Sequence, residues 1–457
     1  MQPSTSACRY FSSASGCIKG GHCRFQHIRS SAWANHERSD EPTNNRGSPP
    51  RDDSSADANS VKTHPRDTRF YQLDGSGVFL VDGVLFKVQA TAIFGPRSTV
   101  KSNRGSTPLY IEDIFPRLSG SSDTNPTELS GITKEQFRNY LLPITSLPYD
   151  EEYSKLLVDY LTPENHNQDL CVKYLDIAAV SQRLGMTKLE EWATNALCAI
   201  FTQSAGSFRR IAYEWEWATL LRLREWSRET FLDLPVQAFI QYLVLCITQD
   251  IRNSQGGGSL FRSADLVQIY QGFKNSESNE ALFGCAFLNI LSLGHRSQVW
   301  SDLTRDDRAI FYAAQAQLID LPCELTPGTL AWVASPKPAL LQQLCNGCQK
   351  IVSDVWAKTF EECFEGIGSD RPLKDVRLLA EMPIYRPELW KRMSRKAFTD
   401  CSQAAANPSR FQLPSTAPVM LRPATTTCPF GPLLNDVDQH IKDIYVQIAV
   451  RYQAISR

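Results

Sequence analysis

The sequence predicts an α+β multidomain protein in which a short strand-rich segment precedes a long, mostly α-helical region. Residues 77–88 contain two β-rich runs on either side of Asp82-Gly83, and an Asp-Gly pair between such runs is a strong hairpin signal. From about residue 132 onward, apolar residues recur at helical spacing. Three cysteines and His27, all within residues 8–27, predict in addition a small metal-dependent module; the spacing of His22 does not fit the ligand set.

The composition is that of an ordinary globular protein with no strong overall charge. The chain has 457 residues, which is room for two to four folded units, and 42% of them are hydrophobic. Its formal net charge of -1 offers no strong field to nucleic acid or to a membrane, so any such attraction must be local. Residues 239–247, the longest strongly apolar stretch, are too few to span a bilayer, and the N-terminus lacks the layout of a signal peptide.

The distribution of the 13 cysteines indicates the compartment. Three lie within the first 23 residues, and the other ten lie between Cys171 and Cys428, mostly singly and within apolar runs. This is typical of buried free thiols and not of a disulfide framework. We therefore expect a protein of a reducing compartment, the nucleus or the cytoplasm, with no membrane association.

The N-terminal segment has the ligand set of a closed zinc site. Three thiolates and one imidazole make a tetrahedral shell with no position left for water or substrate, which predicts one structural Zn²⁺. Twenty residues cannot build a hydrophobic core, so metal binding would supply the folding free energy. The predicted ligands are separated by eight, five and three residues: Cys8, Cys17, Cys23 and His27.

This segment resembles the CCCH-type (C-x8-C-x5-C-x3-H) zinc fingers. Beyond the ligands, it shares with that family the aromatic pair Tyr10-Phe11, Gly16 before the second cysteine, and Phe25 two residues after the third. The resemblance implies binding to single-stranded RNA, although some fingers of this type bind proteins. We place the finger in residues 1–30.

The residue types around the predicted ligands suit RNA. Aromatic faces can stack on bases while cations contact phosphates, and no acidic residue lies between Cys8 and Arg29. An alternative is that the aromatic side chains pack around the zinc. The candidate RNA contacts are Arg9, Tyr10, Phe11, Lys19, Arg24, Phe25 and Arg29.

Residues 31–69 predict a disordered linker, because they are rich in Ser, Asn, Asp, Arg and Pro and almost empty of aliphatic residues. The hairpin follows, then a short apolar segment at 90–94 and a strand at 108–114. Thr133 and Gln136 form a capping-box pattern that begins a helix. Further helices are predicted at 153–161 and 170–184, the latter stopped by Gly185, and after Thr187.

Residues 70–203 resemble a BTB/POZ domain, in the divergent form found in mushroom-type fungi. The resemblance is carried by the order of segments: GVFLVDGVLFKVQA, YIEDI, GITKEQFRNYLL and YLDIAAVSQRLGMTKLEEWATNAL. It implies a protein-interaction domain and a homo-oligomer. The chain departs from the family at Gln89, where His is usual, and at Ser76-Gly77, where an acidic residue is usual. These departures put dimerisation and recruitment of a cullin-type ligase in doubt more than the fold.

Residues 204–457 predict a helical C-terminal region. The predicted helices cover 213–226, 231–251, 281–293, 303–318, 340–364 and 435–455. Cys345-x2-Cys348 lies in the fifth of these, where it fits buried small side chains on one helix stripe. A second metal site would need further ligands, for which Cys363 and Cys401 are single candidates, and we do not favour it.

Enzyme motifs are absent from the sequence, which contains no GxSxG, HExxH, GxGxxG or phosphate-binding loop. We therefore expect a non-enzymatic scaffold with a finger that binds RNA and a BTB-like domain that binds protein. The first alternative is a BTB-type substrate adaptor of a cullin ubiquitin ligase in which the finger recognises a protein. A third hypothesis is an enzyme whose site lies in the helical region.

Overall fold

The computed structural model describes residues 64–93, 120–147, 149–203, 215–254, 263–274, 276–317, 325, 328–366, 372–400, 428 and 430–456. The predicted finger, the predicted linker up to residue 63 and the predicted strand at 108–114 lie outside the described residues. The described residues are mostly helical with a small mixed sheet, which confirms the general α+β class.

The described strands form one sheet in the order β1-β3-β2-β4. Strands β2 and β3 pair antiparallel, whereas β1 pairs parallel with β3 and β4 parallel with β2. The strands are β1 Arg66–Tyr71, β2 Gly77–Val81, β3 Val84–Val88 and β4 Thr127–Glu128.

The predicted hairpin is confirmed. Val81 pairs with Val84 across a two-residue turn, in which Asp82 has φ 50° and Gly83 has φ 76°. Two left-handed residues in a two-residue turn match the right-handed twist of the flanking strands, which is why Asp-Gly is favoured there.

Strand β1 corrects the boundary of the predicted linker, because its first four residues lie within the predicted range 31–69. The strand is held by a buried carboxylate and not by a run of apolar residues. Asp67 accepts hydrogen bonds from the backbone N–H groups of Arg69 (3.0 Å) and Phe70 (2.8 Å) and from Arg138 Nε (2.6 Å). The folded part therefore begins before residue 70.

Helices of the first half follow the predicted order. Helix α2 begins with the predicted capping box: Thr133 Oγ1 accepts from Gln136 N and Gln136 Oε1 from Thr133 N. Helix α4 ends at the predicted Gly185, which has φ 72°, and Met186 N donates to Ser181 O as in a Schellman motif. The helices are α1 Ala90–Ile93, α2 Lys134–Thr145, α3 Glu151–Asp159, α4 Gln168–Arg183 and α5 Thr187–Gln203.

The second half is a helical assembly. The predicted helix at 340–364 is two helices, α12 and α13, because a turn at residues 342–345 interrupts it; α8, α10, α14 and α15 were not predicted. The helices are α6 Trp217–Ser227, α7 Asp233–Asn253, α8 Ser263–Lys274, α9 Glu280–Leu293, α10 Gln298–Asp302, α11 Arg305–Gln317, α12 Pro338–Leu341, α13 Asn346–Gly366, α14 Pro372–Ala380, α15 Tyr385–Asp400 and α16 Gly431–Ser456.

One hydrophobic core extends across the predicted domain boundary at 203/204. Phe201 on α5 and Phe239 on α7 belong to the same buried cluster, and their ring centroids lie 5.1 Å apart. Helix α9 lies at its centre, with every residue from Ala281 to Leu291 buried. A smaller cluster lies between the sheet and α2. Both clusters belong to one compact unit, residues 61–457.

Helix α7 is long and apolar enough to cross a membrane, judged by length and composition alone. Its 18-residue window of mean hydropathy 1.3 is, however, 67% buried inside the fold. Core helices of globular proteins can have the same length and composition, so the apolar character of α7 does not distinguish a membrane span from a core helix.

Candidate metal centre

Three cysteines meet where helices α13 and α16 begin. Cys345 is the N-cap residue of α13, because its carbonyl oxygen accepts the first intrahelical hydrogen bond, from Gln349 N at 2.9 Å. Cys348 lies in the first turn of the same helix. Cys428 precedes α16, and its carbonyl oxygen accepts from Phe430 N at 3.1 Å.

The three sulfur atoms lie within 4.8 Å of one another. In a tetrahedral site with zinc–sulfur bonds of about 2.3 Å, two thiolate sulfurs are about 3.8 Å apart, so only a small contraction is needed. Cys348 and Cys428 are buried, with 0% and 3% of their surface exposed, and Cys345 is half-buried. This group could hold a metal ion.

The group lies at the edge of the main hydrophobic core. Leu344, Val352, Phe430 and Leu433 belong to that core together with Cys348 and Cys428, and Cys345 packs against it. Both helices present their N-termini here, where the helix dipole is positive and favours negative charge. An apolar wall combined with two helix N-termini suits a thiolate cluster whose charge is balanced by a cation.

Among the other described cysteines, Cys171 and Cys285 are buried and Cys198 is half-buried. Burial raises the pKa of the thiols of Cys171 and Cys285, and it raises that of the half-buried Cys198 as well. These groups therefore stay protonated, and the protonated thiol of Cys285 donates a hydrogen bond to Gln241 O at 3.9 Å. The group at Cys345 differs because three potential ligand atoms converge on one point.

The sequence analysis singled out two of the three cysteines and missed the third. It singled out Cys345-x2-Cys348 and assigned both as buried small side chains, which is confirmed for Cys348. The third member, Cys428, is 80 positions further along the chain and belongs to no spacing motif. Cys363, one of the two ligands considered, lies 15 residues further along α13 than Cys348, about 22 Å along the helix axis. Cys401, the other, lies outside the described residues.

The structure does not place the sequence-predicted finger. All its residues lie in the stretch 1–63, outside the described residues, so their assignment stays a prediction. They are the ligands Cys8, Cys17, Cys23 and His27 and the RNA candidates Arg9, Tyr10, Phe11, Lys19, Arg24, Phe25 and Arg29.

Comparison with known proteins found no match, whether to a family model, a curated protein or a solved structure. Function therefore has to be inferred from the residues of this chain.

Proposed function

We propose that this protein is a zinc-binding, non-enzymatic scaffold whose N-terminal CCCH finger binds single-stranded RNA and whose BTB-like domain binds a protein partner. The observation that carries the proposal is the N-terminal ligand pattern of Cys8, Cys17, Cys23 and His27 within a segment that has four cations and no acidic residue. In a chain whose net charge is -1, that segment is a local basic site.

The zinc of the finger is structural. Its four protein ligands fill a tetrahedral shell, so no open position remains for a reacting water or substrate. Binding of zinc orders the short loops between the ligands, and these loops carry the aromatic and basic residues. Loss of one ligand, as in Cys17→Ser, therefore removes both the metal and the arrangement of side chains that would contact RNA.

RNA binding would combine two kinds of contact. Tyr10, Phe11 and Phe25 offer rings on which unpaired bases stack, worth about 1–3 kcal/mol for each base. Arg9, Arg24 and the other cations contact phosphates, which makes the affinity depend on salt concentration. Stacking requires unpaired bases, so single strands are preferred over duplexes.

The order of elements in residues 70–203 supports the BTB-like part of the proposal. The hairpin β2–β3 is followed by the short helix α1, then by α2, and finally by the packed pair α4 and α5. Apart from the strand at 108–114, which lies outside the described residues, these elements stand in the order that the resemblance implies. A domain of this kind would connect the RNA-bound finger to a protein partner or to a second copy of the chain.

The cationic contacts are tested with the full-length chain and a short fluorescent single-stranded RNA. We expect Arg24→Gln to weaken binding of every sequence and to reduce the slope of log affinity against log salt by about 1. Lys188→Gln is the matched control, because it removes the same charge from an exposed side chain on α5, outside the finger. An equal effect of both variants would contradict a phosphate contact at Arg24.

The stacking contacts are tested by Phe25→Leu, which keeps an apolar side chain and removes the π-face. We expect weaker RNA binding with unchanged zinc content. Phe231→Leu is the matched control, since Phe231 is 63% exposed and lies outside the finger. Loss of zinc in Phe25→Leu would instead assign Phe25 to the finger's own packing. Absence of RNA binding by the wild type at low salt would favour the adaptor alternative, in which the finger recognises protein.

A further inference from the structure

We propose that Cys345, Cys348 and Cys428 bind a second zinc ion, which fastens the start of helix α13 to the start of helix α16. The proposal goes beyond the finger and is independent of it, because it uses none of the same residues. It rests on three thiols from two distant parts of the chain whose sulfur atoms all lie within 4.8 Å of one another.

The ligand types select the metal. Thiolates are soft ligands that favour zinc, copper(I) and iron–sulfur clusters over magnesium or calcium. An iron–sulfur cluster commonly takes four cysteine ligands, whereas three converge here among the described residues. Zinc is satisfied by three thiolates and one further ligand. Cys345 is the half-exposed member, and it marks the side from which a water molecule completes the shell.

Charge balance favours the bound state. On binding, each of the three thiols releases its proton to solvent and forms a bond to the ion, so one Zn²⁺ and three thiols give a site of net charge -1 and three free protons. Cys345 and Cys348 lie at the start of α13 and Cys428 lies three residues before α16, so the negative charge is near the positive ends of both helix dipoles. An uncharged trio of thiols would gain nothing from this placement.

The ion would act as a cross-link. Cys348 and Cys428 are 80 positions apart, and a bond that closes a loop of that length restricts the unfolded chain strongly. Helix α16 packs against the central helix α9, with Tyr452 on α16 4.9 Å from Phe287 on α9, measured between ring centroids. Zinc at the start of α16 would therefore stabilise the docking of this helix on the core.

The test uses the full-length chain with its finger disabled by Cys17→Ser, purified in the presence of a reductant. We expect one zinc per chain in Cys17→Ser and none in Cys17→Ser/Cys345→Ser. Cys345 is chosen because a half-exposed position tolerates serine. The matched control is Cys17→Ser/Cys198→Ser, which changes another half-buried cysteine and should keep one zinc.

Two further measurements separate metal binding from misfolding. Cobalt(II) added to metal-free Cys17→Ser should produce sulfur-to-metal charge-transfer absorption, which Cys345→Ser removes or reduces while the far-ultraviolet circular dichroism stays unchanged. A chelator should lower the melting temperature of Cys17→Ser by several degrees and leave that of Cys17→Ser/Cys345→Ser unchanged.

Two results would overturn the proposal. One is a Cys17→Ser chain that holds no zinc and gives no cobalt–sulfur absorption. A second is retention of zinc in the Cys345→Ser double variant. A finger that fails to bind zinc would leave Cys17→Ser and the wild type each with one zinc, so the two proposals fail separately.

Discussion

Helices α9 and α16 approach each other so closely at Gly284 that a single methyl group should destabilise the fold. A Cβ atom at this position would lie 1.9 Å from Tyr445 O, 2.9 Å from Tyr445 C and 3.3 Å from Ala449 N. Contacts below 3.0 Å are essentially never seen for real Cβ atoms. The atoms that would be met belong to the backbone of α16, so no side-chain rotation can relieve the contact.

The magnitude follows from the displacement that Gly284→Ala requires. The two helices would have to separate by about 1 Å, which disturbs the hydrogen bond from Tyr445 Oη to Leu379 O at 2.9 Å as well as the packing. Overpacking of this kind costs about 1–3 kcal/mol, and a weakened buried hydrogen bond adds about 1 kcal/mol. The higher helix propensity of alanine offsets about 1 kcal/mol of this loss in unfolding free energy. We expect a net loss of about 2 kcal/mol.

The assay is urea unfolding followed by far-ultraviolet circular dichroism. Gly431→Ala is the matched control, because a Cβ there meets nothing within 4 Å and the residue is the first of α16. It should change the free energy of unfolding by less than about 0.5 kcal/mol. A Gly284→Ala protein as stable as the wild type would refute the close approach of α9 and α16.

Three further predictions concern single interactions. Thr133→Ala should cost about 1 kcal/mol of unfolding free energy in urea, because it removes the N-terminal cap of α2. Thr162→Ala should cost less, because the half-buried Thr162 caps no helix N-terminus and its hydroxyl only donates to Val158 O at 3.3 Å. Asp438→Leu should lower the free energy of unfolding by about 3–5 kcal/mol in the same assay, because it leaves the buried Arg386 without its carboxylate partner at 3.0 Å. The double variant Arg386→Leu/Asp438→Leu should recover most of that loss, because it leaves no unpaired charge. Burial lowers the pKa of His166 and His440 below the ordinary value, so their contribution to stability is complete above about pH 6.5 and is lost as the pH falls. The urea midpoint should therefore decrease between about pH 7.5 and about pH 5.5, and less steeply in His166→Gln/His440→Gln; an equal decrease in that variant would contradict the assignment.

Features fixed by neighbouring residues could be predicted from the sequence. The hairpin turn at Asp82-Gly83, the capping box at Thr133 and the end of α4 at Gly185 each depend on the conformation of a few consecutive residues. Local backbone preference therefore determines them without help from the rest of the fold.

Features held by distant contacts could not be predicted. Strand β1 has only two buried residues, Asp67 and Phe70, and its polar composition resembles that of the linker before it. Its position depends on Arg138, 71 positions away, through the ion pair with Asp67. The cysteine group could not be predicted for the same reason, because Cys428 lies near Cys345 and Cys348 only once α13 and α16 have packed into the same hydrophobic core.

The most direct test of the proposed function is fluorescence anisotropy of a labelled single-stranded RNA titrated at low salt with the full-length protein and with Cys17→Ser. Disabling the finger leaves the rest of the chain, including the cysteine group at Cys345, unchanged in sequence. We predict that the wild type binds the single strand, that it binds the corresponding duplex much more weakly, and that Cys17→Ser does not bind. No binding by the wild type, or equal binding by Cys17→Ser, would contradict an RNA-binding zinc finger.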